Sequence, residues 1–177
     1  MAASAKFRIE ALSSAHDRSK FQSGSEPLDR YLREQASQDI KRRVATCFVA
    51  IPTGKEQIAG YYTLAATSIA LGAVADEIAR KLPRYPVVPA ALLGRLAVSK
   101  DSQGKGLGSA LLADALLRTS RTELGVFAML VDAKDEYARR FYEHFGFTLL
   151  LGHDRRLMLP IATALLQLGS REPRGKK

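Results

Sequence analysis

The chain has 177 residues, of which 46% are hydrophobic and 25% charged, and its formal net charge is +9. These values are typical of one globular domain, which we expect at residues 1–169, followed by a basic, disordered tail at 170–177. No apolar run approaches the roughly 20 residues of a membrane-spanning helix, and the first residues lack a signal-peptide pattern. The single cysteine excludes an internal disulfide, so we expect a cytoplasmic protein with no membrane segment.

The first half of the chain predicts an antiparallel sheet. Residues 6–12 alternate polar and apolar side chains, as a half-buried strand does. A helix is predicted from Ser25, with proline in its first turn, to Ile40, because apolar residues recur there at helical spacing. Two apolar runs, 44–51 and 58–69, flank a Pro/Gly turn and predict a β-hairpin.

The second half alternates strands and helices instead. The predicted elements are a short helix at 74–82, a loop at 83–89, strands at 91–98 and 126–131, helices at 106–120 and 135–145, a strand pair at 147–151 and 156–159, and a terminal helix at 161–168. An antiparallel start followed by this alternation predicts a mixed α/β (α+β) fold rather than a Rossmann fold.

A glycine-rich turn at residues 103–108, with the sequence QGKGLG, joins the strand at 91–98 to the next helix. Glycines allow the backbone to approach a ligand closely, and the free N–H groups of a helix start favour phosphate. The spacing matches neither a P-loop nor the Rossmann pattern G-x-G-x-x-G. It matches the pattern Q/R-x-x-G-x-G/A through Gln103, Gly106 and Gly108.

A second segment, ARRFYEHFGF at residues 138–147, lies downstream on the predicted helix at 135–145. A tyrosine phenol can donate a proton, and Tyr142 is therefore a candidate general acid. The alternative interpretation is core packing, because Phe141 and Phe145 share its helical spacing. His16, His144 and His153 are scattered without other ligand-type residues, so we expect no metal site.

Basic residues form two clusters, one at 30–43 and one between Glu77 and Asp101, a stretch that contains no acidic residue. Such clusters attract polyanions if the fold places them on one face, and a solvated surface is the alternative. The candidate contacts are Arg30, Arg33, Lys41, Arg42, Arg43, Arg80, Lys81, Arg84 and Arg95.

The turn and the downstream segment together resemble the GNAT N-acetyltransferase superfamily. The resemblance implies a GNAT fold, with a central, mostly antiparallel twisted sheet of six or seven strands, flanking helices and a splayed parallel pair at the acetyl-CoA site. It also implies that a strand backbone binds the pantetheine arm, that the turn binds the pyrophosphate, and that Tyr142 is the acid. The implied acetyl-CoA contacts are Leu96, Ala97, Val98, Gln103, Gly104, Lys105, Gly106, Leu107, Gly108, Ser109 and Asp135. Asp135 departs from the pattern, since many relatives carry asparagine there.

The N-terminal half is similar to TacT-like toxins of toxin–antitoxin pairs, through FQSG at 21–24, LDRYL at 28–32, QDIKRR at 38–43 and GYYTL at 60–64. This resemblance implies acetylation of the α-amino group of an aminoacyl-tRNA. It also implies a ribbon-helix-helix antitoxin that masks the toxin and represses the operon, and often a homodimer. Two alternatives remain, a GNAT enzyme for a small amine or a protein amine, and a non-catalytic RNA- or partner-binding protein.

Overall fold

The computed structural model describes residues 6–171, without the side chain of Arg171. The terminal helix includes Ser170 and Arg171, which the sequence analysis placed in the tail, and residues 172–177 lie outside the described part. None of the described helices is long and apolar enough to cross a membrane.

Seven strands form one sheet. They are β1 (Phe7–Ala11), β2 (Thr46–Pro52), β3 (Gly60–Ala70), β4 (Val87–Val98), β5 (Ala128–Asp132), β6 (Thr148–Leu149) and β7 (Arg156–Pro160). Their order is β1-β2-β3-β4-β5-β7-β6. The sheet is mostly antiparallel, and β4 and β5 form its parallel pair, which confirms the predicted mixed α/β architecture.

The helices also follow the predicted order. They are α1 (Glu26–Arg30), a π-helix (Tyr31–Gln35), α2 (Ala36–Lys41), a 3₁₀ turn (Leu71–Ala73), α3 (Asp76–Ala79), a second 3₁₀ turn (Lys100–Ser102), α4 (Leu107–Ser120), α5 (Glu136–His144) and α6 (Ile161–Arg171). The predicted helix from Ser25 to Ile40 is therefore one helical segment with a π-turn in its middle.

Two predictions near the prolines were wrong. The loop expected at 83–89 ends early, because β4 begins at Val87. Pro89 fits inside this strand because its carbonyl still accepts the Phe127 N–H (2.9 Å), although proline itself has no N–H to donate. The helix expected at 74–82 shortens to α3, since the N–H groups of Lys81 and Leu82 bond three residues back, as in a tight turn.

The chain divides into two compact units, Met1–Ala65 with Gly94–Ala115 and Ala66–Leu93 with Leu116–Lys177. The first unit packs α1, the π-helix and α2 onto a core that includes Tyr61, Leu32 and Val49. The core of the second unit includes Ile69, Leu130 and Met158. In the second unit the β4–β5 ladder joins Ala90–Leu93 to Ala128–Val131, and β4 then continues five residues beyond it, to Val98.

Candidate active site

In the first unit the glycine turn has the conformation that its sequence requires. Gly104 (φ +73°) and Gly106 (φ +80°) lie in the left-handed region, where a side chain costs roughly 1–2 kcal/mol. A Cβ atom on either glycine would meet no atom within 4 Å, so the space beside the turn is open. The glycines are therefore needed for the backbone conformation and leave room for a ligand.

The turn presents a run of unpaired donors. Among the described residues, the backbone N–H groups from Gly104 to Ser109 find no acceptor, and the first bond of α4 is donated by Ala110 to the Gly106 carbonyl (3.1 Å). Six consecutive N–H groups at the positive end of a 14-residue helix form an anion site suited to phosphate oxygens. These residues fit the pyrophosphate that the sequence pattern implies.

Side chains of the turn hold it in place. The Gln103 amide donates to the carbonyls of Ser23 (2.8 Å) and Val98 (3.0 Å), which ties the turn to the N-terminal loop and to the end of β4. The Lys105 ammonium donates to the Asp101 carbonyl (2.7 Å). Gln103 therefore clamps the loop with its side chain, and Lys105 keeps a positive charge beside the free N–H groups.

Gly60, to which the sequence analysis assigned no role of its own, also shapes this region. A Cβ atom on Gly60 would lie 2.9 Å from Leu111 Cδ1 and 3.0 Å from the Ala97 carbonyl oxygen. A side chain here would push aside Leu111 and the Ala97 backbone, so glycine lets β3, α4 and the end of β4 approach this closely. The one feature of the sequence that could have indicated this role is the position of Gly60 as the first residue of the GYYTL segment.

In the second unit Tyr142 lies in the last turn of α5, and the end of the helix fixes its position. Gly146 (φ +91°) donates to the Glu143 carbonyl (3.0 Å), and Phe147 donates to the Tyr142 carbonyl (3.2 Å). These two bonds form a Schellman motif, in which the residue after glycine packs onto the final turn. The Phe147 and Tyr142 rings make that contact, with centroids 5.5 Å apart. The glycine and phenylalanine of ARRFYEHFGF thus hold the tyrosine.

The hydroxyl of Tyr142 is available to a ligand. The residue is 8% exposed, and burial raises the pKa of its phenol to about 12. The hydroxyl has no hydrogen-bond partner among the described residues, yet it is not one of their fully buried unpaired atoms, so its oxygen reaches the surface. At neutral pH the group is protonated and can act as a proton donor.

Asp135 is the N-cap of α5. Its Oδ1 accepts the Ala138 N–H at 2.7 Å, so this carboxylate oxygen already bonds to the helix that carries Tyr142. Asparagine caps helices about equally well, which gives a physical reason why the family pattern has asparagine where this chain has aspartate.

Replacing Asp135 with Ala is therefore expected to lower the free energy of unfolding by about 1 kcal/mol, because the Ala138 N–H loses its acceptor. Asp135→Asn should retain most of that stability. Urea denaturation of the three proteins measures the difference. Equal stability of the Ala variant and the wild type would show that the cap contributes nothing.

The first basic cluster lies in the first unit, on α1, the π-helix and α2 and on the two residues that follow α2. Arg33 differs from the rest, because it donates to the Phe21 carbonyl (3.2 Å) and to Glu26 Oε1 (3.1 Å). The other members are exposed, and their side chains have no hydrogen-bond or ion-pair partner among the described residues. They are Arg30, Lys41, Arg42 and Arg43.

Arg43 has a strained backbone. Its φ of +58° is the one positive value among the described residues other than glycine. Its N–H and that of Val44 donate to the carbonyls of Ile40 (3.1 Å) and Asp39 (3.0 Å), so Arg43 closes α2 at the position where glycine is usual.

The remaining candidate residues divide between the units. Arg80, Lys81 and Arg84 are exposed in the second unit, in the segment that follows α3. Arg95, in the first unit, is half-buried, and its guanidinium carbon lies 3.5 Å from the centroid of the Tyr31 ring. Within the described part of the chain, no group of His, Cys, Asp and Glu could hold a metal ion.

A strand that ends in an anion-binding turn, and a protonated tyrosine held at a helix end, are features of an acetyltransferase. The family model for the acetyltransferase (GNAT) domain matches residues 44–149, more than half of the chain. The chain therefore belongs to the GNAT acetyltransferase family and is an acetyltransferase.

Two curated relatives are similar over almost the whole chain. The tRNA-acetylating toxin of Mycobacterium tuberculosis (strain ATCC 25618 / H37Rv) is 38% identical over 160 residues, 89% of this chain and 94% of that protein. The probable toxin TacT of Sinorhizobium fredii (strain NBRC 101917 / NGR234) is 27% identical over 175 residues, 93% of this chain and 97% of that protein. The predicted similarity to TacT-like toxins is confirmed.

Solved structures confirm the fold. AtaT complexed with acetyl-methionyl-tRNAfMet has a TM-score of 0.83 at 27% identity, over 92% of this chain and 99% of that chain. An AtaT mutant toxin bound to the C-terminus of the antitoxin AtaR and acetyl-CoA has a TM-score of 0.76 at 25% identity, over 92% and 98%.

Proposed function

We propose that this chain is a toxin that transfers the acetyl group of acetyl-CoA to the α-amino group of an aminoacyl-tRNA and thereby blocks translation. The observation that carries the proposal is the 38% identity to a tRNA-acetylating toxin over 89% of the chain. The six free N–H groups from Gly104 to Ser109 support the donor, because they suit its phosphates. The exposed basic residues of α1 and α2 suit an RNA acceptor.

The residues take the following roles in this proposal. The backbone of Leu96, Ala97 and Val98 holds the pantetheine arm, and the turn holds the pyrophosphate. Acetyl-CoA supplies a thioester whose carbonyl carbon the α-amino nitrogen attacks. Tyr142 gives its proton to the leaving sulfur as the carbon–sulfur bond breaks, and the substrate nitrogen releases one proton to water.

The wider assignments belong to the same proposal. An antitoxin of the ribbon-helix-helix type masks the toxin and brings the pair to operator DNA, and two copies of the chain form a homodimer in the cytoplasm. The neighbour bound to the antitoxin AtaR supports the masking step. We also propose that residues 1–169 function as a single domain, since the family match at 44–149 includes parts of both units.

Incubation with labelled acetyl-CoA and total tRNA, either charged or deacylated, tests the proposal. We expect label in the charged tRNA alone. Label in a polyamine or in protein, with none in charged tRNA, would show that the chain is a GNAT enzyme that acetylates small amines or protein amines instead. Absence of transfer to every acceptor would favour the non-catalytic alternative.

The rate of acetylation should rise with pH and then stay level. An α-amino group titrates near 7.7–8.0, so the neutral nucleophile is almost fully formed above pH 9. Since burial raises the pKa of Tyr142 to about 12, the acid stays protonated, and the rate should not fall by pH 10.5. Initial rates, with circular dichroism to verify folding, measure this profile. A decline centred near pH 10 would indicate a tyrosine of ordinary pKa.

Reversing charge at Arg42 and Arg43 together should weaken binding of charged tRNA and make it less dependent on salt. Each lost phosphate contact lowers the slope of log K against log salt by about 0.7–0.9. The control variant reverses the charge of two exposed basic residues outside both clusters, Arg121 and Lys134, and thus changes the net charge by the same amount. If both double variants bind tRNA alike, the first cluster does not contact the substrate.

A further inference from the structure

The Arg95 guanidinium is held in place but chemically unsatisfied. Its central carbon lies 3.5 Å from the centroid of the Tyr31 ring, and the residue is half-buried. An arginine carries five N–H donors, and those of Arg95 have no acceptor and no carboxylate partner among the described residues. A half-buried cation with every donor free is an available site for an anion.

The ring beneath the guanidinium is fixed by its neighbours. Tyr31 is buried, and its hydroxyl donates to Asp39 Oδ2 at 2.9 Å. Its ring stacks on Tyr61, with centroids 6.3 Å apart, and the Tyr61 hydroxyl donates to the Leu28 carbonyl (2.7 Å). A cation stacked on such a platform has little freedom left to lose when it binds a ligand.

An independent feature marks the same position. Tyr31 is the first residue of the π-helix Tyr31–Gln35, which interrupts the segment between α1 and α2. Single π-turns are rare and occur frequently at functional sites. The irregular turn therefore coincides with the residue that supports Arg95.

Strand alternation separates Arg95 from the helix that follows the glycine turn. Arg95 and Ala97 share one face of β4, on the side of Tyr31 and Tyr61. Tyr62 follows Tyr61 on β3 and therefore points to the opposite face, where its hydroxyl donates to Asp114 of α4 at 2.6 Å. A phosphate bound at the start of α4 would receive its hydrogen bonds from the N–H groups of the glycine turn and not from Arg95. Arg95 lies on the other face of the strands, which the basic segment from α1 to α2 covers.

We propose that Arg95, on its Tyr31 platform, binds the phosphodiester that immediately precedes the aminoacylated ribose of the substrate. This inference rests on the proposed function. A planar guanidinium binds two phosphate oxygens at once, and a phosphodiester offers that pair. Arg95 directly precedes Leu96, the first residue assigned to the pantetheine arm. The nearest phosphate to the reacting amine is the one on the 5′ oxygen of the terminal ribose.

Two substrates test this contact, an aminoacylated CCA trinucleotide, which carries the phosphodiester, and aminoacyl-adenosine, which does not. Arg95→Lys should lower kcat/KM for the trinucleotide roughly ten- to hundred-fold, mainly through KM, since lysine loses the paired contact. Its kcat/KM for aminoacyl-adenosine and its KM for acetyl-CoA should match the wild type. Arg121→Lys, an exposed arginine outside the site, is the matched control and should leave all three values unchanged.

Variants of Tyr31 distinguish the support of Arg95 by the Tyr31 ring from a general effect on folding. Tyr31→Phe keeps the ring but loses the bond to Asp39, so its loss of kcat/KM on the trinucleotide should be smaller than that of Tyr31→Leu, which removes the ring; both losses should be absent on aminoacyl-adenosine. Equal losses on both substrates, a higher KM for acetyl-CoA, or no loss in Arg95→Lys would each overturn the proposal. If the wild type acetylates neither substrate, the proposed function fails as well. If the wild type acetylates both and Arg95→Lys leaves kcat/KM for the trinucleotide unchanged, only this inference fails.

Discussion

Replacing Tyr142 with Phe is expected to lower kcat by about 10²–10⁴-fold, because the leaving sulfur loses its proton donor. The ring contacts with Phe141 and Phe147 remain, and the hydroxyl makes no hydrogen bond to the described protein. Affinity for acetyl-CoA and the melting temperature should therefore stay near the wild-type values. Single-turnover acetylation and calorimetric titration with acetyl-CoA measure the two effects separately.

Tyr137→Phe is the matched control, because Tyr137 lies on the same helix but is 83% exposed. It should retain full activity. In cells, induction of the wild type should arrest growth, and Tyr142→Phe should relieve the arrest. Equal activity of the wild type and the Tyr142 variant would remove this residue from the chemistry.

Replacing Gly106 with Ala is expected to weaken acetyl-CoA binding by roughly ten- to hundred-fold, the range for loss of hydrogen bonds to a charged group. At φ +80° the added Cβ favours a different backbone conformation, which turns neighbouring N–H groups away from the phosphates. Isothermal titration with acetyl-CoA measures the change in affinity, and thermal unfolding measures the cost in stability.

Gly54→Ala supplies the control for backbone strain. Gly54 has a similar φ of +76° and equally open surroundings, but it lies in the β2–β3 turn. It should lose about as much stability as Gly106→Ala while binding acetyl-CoA normally. Comparable losses of affinity in both variants would mean that the Gly106 effect comes from general destabilisation.

The sequence predicted those features whose cause is local. The glycine turn was recognisable because positive φ and close ligand approach both require glycine, and α4 begins one residue from its predicted start. Tyr142 was recognisable because the Gly-Phe pair that ends α5 is part of the same short segment. In both cases a few neighbouring residues determine the geometry.

Features that depend on distant residues were not predictable in this way. The Arg95–Tyr31 contact joins residues 64 positions apart, and no spacing rule connects a strand residue to the particular ring that it covers. Gly60 is restricted by Leu111 and the Ala97 carbonyl, which only the folded chain brings near. The π-turn at Tyr31 was also missed, because its apolar spacing resembles that of an ordinary helix.

The most direct test of the central claim compares an aminoacyl-tRNA with the same tRNA after nitrous acid has converted its α-amino group to a hydroxyl. Both carry the same RNA, ester and side chain, so they differ only at the proposed acceptor atom. After reaction with labelled acetyl-CoA and nuclease digestion, we expect label in the aminoacyl-adenosine of the first and none in the second. Equal labelling of both, or label retained elsewhere in the RNA, would contradict acetylation of the α-amino group.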